Sequence, residues 1–344
     1  GGATQNFVYA DVKGHIGWYA AGRIPIRKTG DGEMPYDGST NDGDWTSFIP
    51  FDELPHLYDP PSGFIVTANQ RTVGTDYKYT QFIRDASMPW RARRIYELLA
   101  KDKAITMDAI TKIQLDVFNR PVKGVAAEVV RVNGADAATL DLFKKWDGFM
   151  QPDSKAALLA NEIRTCIGNK IAADNPGVPP YLILARVVDR GLMNRLPNYW
   201  LPKQYSNYAA LISACSTEAS AGLPAKFGAD PVKWTWSAMS KSRFPHPLAA
   251  APLIGAQFAT PSVGIPGSRE TPNVGSYVSM RHIASPGNWD ATRHVIPLGE
   301  SGDPQTAHYK DEFDLWRSGD PAIFPFSARA VEAAAKTVTV FSPK

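Results

Sequence analysis

Short runs of β-forming residues stand near the start of the chain, and such runs are typical of β-strands. Residues 6–27 contain two such runs, rich in aromatic and β-branched side chains, on either side of a polar turn from Asp11 to Gly14. This arrangement predicts a β-hairpin. The acidic, glycine-rich stretch from Lys28 to Asp44 is too long for a plain hairpin turn and predicts a loop. Residues 45–58 predict a further, apolar loop that is fixed by prolines.

The segment from Tyr58 to Arg71 combines a turn with a short apolar run. Its turn residues end at Gly63, and Phe64 to Val66 predict a buried strand that stops before the polar residue Asn69. A carboxamide at the end of a strand can donate an N–H to a developing negative charge without adding a countercharge. Asparagine also closes turns, because it tolerates left-handed backbone. The local pattern by itself favours the turn-closing role for Asn69.

From about residue 90 to residue 223 the apolar positions recur with the helical period. The first predicted helix runs from Trp90 to Leu99, and the second is capped by Thr106 with Ile110, Ile113 and Val117 on one face. A third is marked by Leu140, Phe143 and Trp146, and a longer one from Leu158 to Ile171 stops at Asn175-Pro176-Gly177. Two more are predicted at Tyr181 to Arg190 and Tyr205 to Ala221.

Strand patterns return after Lys233. The predicted elements there are strands from Ser276 to Ala284 and from His294 to Leu298, helices from Asp311 to Arg317 and from Ala328 to Ala335, the second capped by Ser327, and a terminal strand from Thr337 to Phe341. Strands, then a helical block, then strands again are typical of an α+β protein. We therefore expect three parts, at residues 1–99, 100–223 and 224–344.

The composition of the chain limits the classes of binding partner that we expect. The 344 residues include 37 basic and 34 acidic side chains for a net charge of +3, so no electrostatic surface for nucleic acid is expected. No apolar run approaches the length of a membrane span, and the first residues carry no targeting signal. We expect neither nucleic acid nor membrane as a partner. The two cysteines, Cys166 and Cys215, fall in apolar helical patterns, which favours buried free thiols.

Familiar catalytic motifs are absent. The chain contains no glycine-rich phosphate loop, no zinc-binding histidine pair and no Gly-x-Ser-x-Gly sequence. Its six histidines are separated along the chain, so each is interpreted as structural, with His246 and His308 the first to inspect. The acidic residues between Asp31 and Asp44 offer oxygen ligands for a hard cation, but their spacing differs from an EF-hand, and a solvated loop is the better interpretation.

Several short blocks stand in a fixed order over nearly the whole chain. They are Asn6-Phe7-Val8-Tyr9-Ala10-Asp11-Val12 with Gly14, Ile16 and Gly17; Ile49-Pro50-Phe51; Pro61 and Gly63-Phe64-Ile65 with Asn69; Arg91 ahead of Ile95 and Leu98-Leu99; Trp146-Asp147-Gly148; and Gly299, Ser301-Gly302, His308-Tyr309 and Asp311. Together and in this order, the blocks resemble the penicillin acylase family of N-terminal nucleophile hydrolases. This family includes penicillin G acylase, cephalosporin acylases and acyl-homoserine lactone acylases.

The resemblance implies a four-layer αββα sandwich and hydrolysis of an acyl amide bond. In this family the nucleophile is an N-terminal serine of the β chain, which uses its own α-amino group as the base. Gly1 cannot fill that role, so the chain resembles the later part of a β subunit. The implied partners are the remaining N-terminal part of the β subunit, the α subunit and a small-molecule acyl amide. The alternative is a catalytically silent fragment or a structural module of the same fold.

The resemblance also implies roles for two residues. Asn69 matches the asparagine that donates a side-chain N–H to the oxyanion, and Arg91 matches an active-site arginine that orients the asparagine, the α-amino group or the substrate. A planar guanidinium with several fixed donors suits that second role. Judged by position alone, Arg91 is a cation on a helix surface. A periplasmic or secreted location is implied as well, whereas the acyl specificity stays open.

No cofactor is expected, and calcium is the weakest implication of the resemblance. The loop with Glu33 lies near a position where family members supply a backbone carbonyl. The acidic ligand expected about ten residues before the arginine has no clear match, because Thr80 and Gln81 stand there and Asp85 is offset. A bound metal is therefore not predicted.

Overall fold

The computed structural model describes residues 4–32, 35–79, 88–102, 104–189 and 197–343. The strands are β1 Gln5–Ala10, β2 Ile16–Ala21, β3 Pro25–Arg27, β4 Trp45–Phe48, β5 His56–Tyr58, β6 Arg281–Ile283, β7 Arg293–Val295 and β8 Ala322–Ile323. The α-helices are α1 Trp90–Leu99, α2 Met107–Gln114, α3 Arg120–Arg131, α4 Ala137–Lys145, α5 Lys155–Ala173, α6 Pro180–Leu182, α7 Tyr208–Phe227, α8 Trp236–Met239, α9 Phe313–Ser318 and α10 Ala328–Ala334.

Contacts between residues divide the chain into two compact units. The first unit contains Gly1–Met107, His282–Arg293 and Ile323–Lys344, and the second contains Asp108–Arg281 and His294–Ala322. The strands form sheets in the orders β1-β2-β5, β3-β4 and β6-β7-β8.

The predicted N-terminal hairpin is present in the first unit. β1 and β2 are antiparallel and pair from Gln5 with Ala21 to Ala10 with Ile16. The turn between them is closed by hydrogen bonds at Asp11, including one from Gly14 N to Asp11 O. The pattern of β-branched and aromatic residues was therefore a sufficient signal for this element.

The prediction of a loop for residues 45–58 is wrong. β4 occupies Trp45–Phe48 and pairs with β3, and β5 occupies His56–Tyr58 and pairs with β2. The long loop from residue 28 to residue 44 thus connects two antiparallel strands. Short strands like these are stabilised by their partners, and a local sequence pattern does not identify the partner.

Two predicted strands lie outside the sheets of the described residues. Residues 64–66 form irregular backbone, although Val66 is buried. Residues 337–341 are likewise irregular, and Phe341 is 92% exposed. Residues 64–66 are a continuous apolar run and residues 337–341 alternate apolar with polar side chains. Either pattern suits a strand, but a strand also requires a second strand to pair with its backbone N–H and C=O groups.

The second unit has a helical core. The predicted helices appear as α2, α4, α5 and α7, but α3 was not anticipated as a separate helix. It buries Val122, Val125, Ala126 and Val129 on one face, and the side chain of Asn119 accepts a hydrogen bond from Val122 N as the N-cap. Capping by asparagine, followed by a proline in the first turn, is the signal that identifies this helix.

The helix predicted from Tyr181 to Arg190 is only partly regular. It begins as α6 and continues as a π-helix over Ile183–Val188. Arg190 lies outside the described residues. In the described part of the chain no helix combines the length and the apolar character needed to cross a membrane.

Cys166 on α5 and Cys215 on α7 form a disulfide, with their Cα atoms 5.6 Å apart. The prediction of free thiols is therefore wrong, although both residues are buried as expected. The two cysteines are separated by 49 positions in the sequence. Only the packing of α5 against α7 brings them together, so their spacing gave no sign of the pairing.

Candidate active site

A turn anchored to the N-terminal sheet positions the loop that carries Asn69. Asp59 accepts hydrogen bonds from the backbone N–H of Ile16 at 2.9 Å and from His15 Nδ1 at 2.6 Å. These contacts lower the pKa of the Asp59 carboxyl, the backbone donor having the larger effect, and raise the pKa of His15. Gly63 N then donates to Pro60 O, with Gly63 in the left-handed region at φ 71°. This conformation explains the glycine of the Pro-x-Gly-Phe block.

The loop from Phe64 to Gln70 packs against α1. The ring of Phe64 contacts the ring of Tyr96 on α1 edge to face, with centroids 5.3 Å apart. Gln70 fixes the end of the loop, because its Oε1 accepts from Ala68 N at 2.6 Å and its Nε2 donates to Val66 O at 2.9 Å. The backbone on both sides of Ala68 is therefore held by one side chain.

Asn69 itself has a φ of 64°, which is left-handed backbone. Asparagine is the non-glycine residue that adopts this conformation most readily, so the local sequence argument for a turn-closing asparagine is correct about the backbone. The side chain, however, does more than close the turn. Arg91 Nη2 donates a hydrogen bond to Asn69 Oδ1 at 2.8 Å.

The contact between Arg91 and Asn69 determines which way the carboxamide faces. A guanidinium can only donate, so the amide oxygen of Asn69 points toward Arg91 and the Nδ2 amino group points away from it. Asn69 is exposed, and its Nδ2 makes no hydrogen bond within the described parts of the chain. The arrangement presents an oriented, neutral N–H donor at the surface of the first unit. Such a donor can stabilise an oxyanion.

The histidines singled out in the sequence have structural contacts in the second unit. His246 stacks on Phe258 with centroids 4.5 Å apart and accepts a hydrogen bond from Leu248 N. His308 Nδ1 lies 2.7 Å from Asp311 Oδ2. Neither residue belongs to the unit that holds Asn69.

The block from Gly299 to Asp311 is a tightly packed loop. A Cβ at Gly299 would lie 2.2 Å from the backbone oxygen of His308, and Ser301 N donates to that same oxygen at 3.1 Å. The spacing of this block therefore reflects a close approach of two backbone segments in the second unit.

A buried ionic cluster in the second unit has no counterpart in the sequence predictions. Arg164 on α5 donates to both carboxylate oxygens of Asp189, at 2.6 and 2.5 Å, and to Glu270 Oε1 at 3.0 Å. Ser268 and Asn119 also donate to Glu270. Burial raises the pKa of Asp189 to about 6, even though the hydrogen bonds from Arg164 favour the ionised form. These residues are far apart in sequence, so no motif marks them.

The calcium ligands considered in the sequence cannot be placed in the structure. Glu33, Thr80, Gln81 and Asp85, the positions considered for metal ligands, all lie outside the described residues. Elsewhere in the described ranges, no three histidine, cysteine, aspartate or glutamate side chains come together to hold a metal. No chemical step is therefore assigned to a metal.

Comparisons with known proteins show the family to which the chain belongs. The penicillin amidase family model matches residues 1–333. The chain is 30% identical to the penicillin acylase 2 proenzyme of Pseudomonas sp. strain SE83, over 97% of this chain and 45% of that protein. It is 27% identical to the acyl-homoserine lactone acylase QuiP of Pseudomonas putida KT2440, over 92% of this chain and 44% of that protein. The chain thus spans about half the length of these relatives.

The fold of the chain is similar to that of a solved acylase structure. A thermostable penicillin G acylase from Alcaligenes faecalis superposes with a TM-score of 0.67 at 16% identity, covering 99% of this chain and 68% of that one. The fold is therefore the α+β fold of an N-terminal nucleophile hydrolase, as predicted. Within this class, the match of the family model over most of the chain is decisive. The chain belongs to the penicillin amidase family.

Proposed function

We propose that this chain is part of an amidohydrolase that cleaves an acyl amide bond, and that Asn69 binds the oxyanion formed during the reaction. The observation that carries the proposal is the hydrogen bond from Arg91 Nη2 to Asn69 Oδ1, which leaves Nδ2 of Asn69 directed away from the arginine. The relatives named above are acylases, which supports the same class of reaction.

In the proposed mechanism a serine with a free α-amino group attacks the carbonyl carbon of the acyl amide. This serine comes from a segment outside the present sequence. As the tetrahedral intermediate forms, the carbonyl oxygen gains negative charge and accepts a hydrogen bond from Asn69 Nδ2 and a second one from a backbone amide outside this chain. The amine leaves with a proton, and water then releases the acid. The mechanism uses no cofactor.

Arg91 acts as a positioning residue in this scheme. It holds the oxygen of the Asn69 carboxamide and so prevents the amide from turning its oxygen toward the oxyanion, which would be repulsive. The first turn of α1 supplies a rigid base for the arginine, since Trp90 and Ala92 on either side of it are buried. The donor is therefore oriented before the substrate binds.

The N-terminal sheet supports the proposal of partner chains. All six residues of β1 are exposed, and Phe7 and Val8 are 59% and 60% exposed. Apolar side chains of this kind are covered when a sheet packs against a further layer. We infer that the remaining part of the β subunit and an α subunit cover this sheet. Mass and N-terminal sequence measurements on the purified enzyme should identify a second polypeptide that begins with serine, threonine or cysteine.

The proposed location is the periplasm or the extracellular space. The disulfide between Cys166 and Cys215 supports it, because disulfides persist in oxidising compartments. Fractionation of the cells that produce the protein, followed by detection with an antibody, tests this proposal. A protein found entirely in the cytoplasm would contradict it.

The test of the catalytic proposal is hydrolysis of a chromogenic acyl anilide by the complete enzyme. Asn69→Ala should lower kcat by about 10² to 10³, with a smaller effect on KM, because the lost donor acts mainly in the transition state. Asn133→Ala is a matched control, since Asn133 is also exposed and left-handed at φ 51°. An Asn69→Ala enzyme with the wild-type rate would refute the oxyanion assignment. Absence of hydrolysis in the wild type would favour a silent member of the family.

A further inference from the structure

Arg281 is a buried arginine with weak hydrogen bonds. Only 5% of its surface is exposed. Its guanidinium donates to Trp316 O at 3.4 Å, to Gln114 O at 3.3 Å and to Asn273 Oδ1 at 3.4 Å. These distances exceed the usual 2.9 to 3.0 Å of an N–H to oxygen hydrogen bond, and all three acceptors are neutral. The guanidinium also lies over the ring of Trp316, 5.9 Å from its centroid, so among the described residues its positive charge contacts only neutral groups.

The contrast with Arg164 in the same unit is informative. Arg164 is also buried, and it pairs with the carboxylates of Asp189 and Glu270 at 3.0 Å or less. Arg281 makes no ion pair with any residue in the described parts of the chain, and burial alone lowers its pKa to about 10. A buried charge without a counterion is strongly unfavourable, so proteins retain one where a ligand supplies the opposite charge.

A recess lies beside the guanidinium. It is lined by Ile265, Pro266, Asn273, Gly275, Arg281, Trp316 and Arg317 and is partly open to solvent. The recess has room for about one water-sized group, so it fits a small ion or the charged head of a small ligand. All of the lining residues belong to the second unit.

The polar groups of the recess favour an anion. Two of the lining residues are arginines, and no carboxylate is among them. Asn273 is buried, and its Nδ2 makes no hydrogen bond to a described residue, so a second donor is available. The exposed Arg317 forms an ion pair with Asp314 at 3.3 Å, which leaves further donors of its guanidinium for a ligand.

We propose that Arg281 and the recess beside it bind a small monovalent anion, either a halide ion or the carboxylate group of a small organic acid. The anion accepts hydrogen bonds from the guanidinium of Arg281 and the amide of Asn273, and it supplies the counterion that the fold lacks. The residues of this site belong to the second unit and Asn69 belongs to the first, and the proposal does not rest on the catalytic role of Asn69.

The proposal is tested by thermal unfolding of the protein in titrations with sodium bromide and, separately, with sodium acetate. Ionic strength is held constant with a bulky sulfonate buffer. We expect the unfolding midpoint to rise and then saturate with at least one of the two anions. A response to bromide identifies a halide as the ligand, and a response to acetate identifies a carboxylate. Arg281→Gln should weaken the apparent affinity at least about tenfold, because a hydrogen bond to a charged group is lost.

Arg131→Gln is the control, since Arg131 is exposed and its one ion pair within the described ranges is with Glu128 on its own helix. It should keep the wild-type response. Equal responses in the wild type and Arg281→Gln, or a response that does not saturate, would overturn the proposal. If Arg281→Gln fails to fold, the site is tested instead by anomalous scattering from wild-type crystals soaked in bromide. An anomalous peak beside the Arg281 guanidinium supports the site. A recess that shows neither this peak nor, in a second crystal soaked in sodium acetate, density for acetate refutes it.

Discussion

Removal of the disulfide between α5 and α7 should destabilise the helical core of the second unit. The perturbation is the double substitution Cys166→Ala with Cys215→Ala, which removes the cross-link and two buried sulfur atoms. Both cysteines are buried among the apolar residues of the core, so the substitution also leaves a small cavity. Reduction of the wild type with dithiothreitol removes the same cross-link while keeping both sulfur atoms.

The size of the effect follows from the length of chain that the disulfide closes. The cysteines are 49 residues apart, and the chain-entropy model gives about 4 kcal/mol for a loop of this size. The cavity adds about 1 kcal/mol. For a unit of this size, 1 kcal/mol changes the unfolding temperature by about 2 to 4 °C, so reduction should lower it by roughly 8 to 16 °C.

The assay is unfolding followed by far-ultraviolet circular dichroism, with urea and with heat, for both proteins with and without dithiothreitol. The oxidised wild type should unfold last, the reduced wild type earlier and the double variant earlier still, with no response of the double variant to dithiothreitol. Equal midpoints for all samples would refute the reasoning. So would two free thiols titrated in the denatured wild type under non-reducing conditions.

Three further results are expected. Arg91→Lys should lower kcat by about tenfold or more with little change in stability, because lysine cannot reproduce the fixed guanidinium donors that orient Asn69; steady-state kinetics on the complete enzyme measures this, and an unchanged kcat would contradict the positioning role. Gly299→Ala should destabilise the protein by about 1 to 3 kcal/mol, since the new Cβ would lie 2.2 Å from His308 O. Gly302→Ala is the control, because a Cβ there meets no atom within 4 Å and should leave stability nearly unchanged. Urea unfolding of both variants measures the difference. Arg281→Met in anion-free buffer should raise the free energy of unfolding, because burial lowers the pKa of Arg281 to about 10 and the folded state therefore disfavours the charged form at every pH below 10. The three acceptors that lose a hydrogen bond from Arg281 offset part of this gain, and a loss of stability would contradict the reasoning.

The periodic patterns determined much of the fold. The hairpin of β1 and β2 follows from two runs of β-forming residues on either side of a turn. The helix α1 and the long helices α5 and α7 follow from apolar positions that recur with the helical period. The order of short blocks along the chain was enough to predict the family, which the comparisons confirm. The sequence also identified Asn69 and Arg91 as candidates, through the resemblance rather than through local pattern.

Tertiary structure decided the remaining features, because each depends on groups that lie far apart along the chain. The strands β4 and β5 form because β3 and β2 are available to pair with them. Residues 64–66 are irregular, since no strand in the described ranges pairs with them. Asn69 and Arg91 are 22 positions apart, and only the packing of the loop against α1 brings the amide oxygen to the guanidinium. Cys166 pairs with Cys215, and Arg281 is buried without an ion pair among the described residues, because of how distant segments pack together. A local periodic pattern carries no information about such packing.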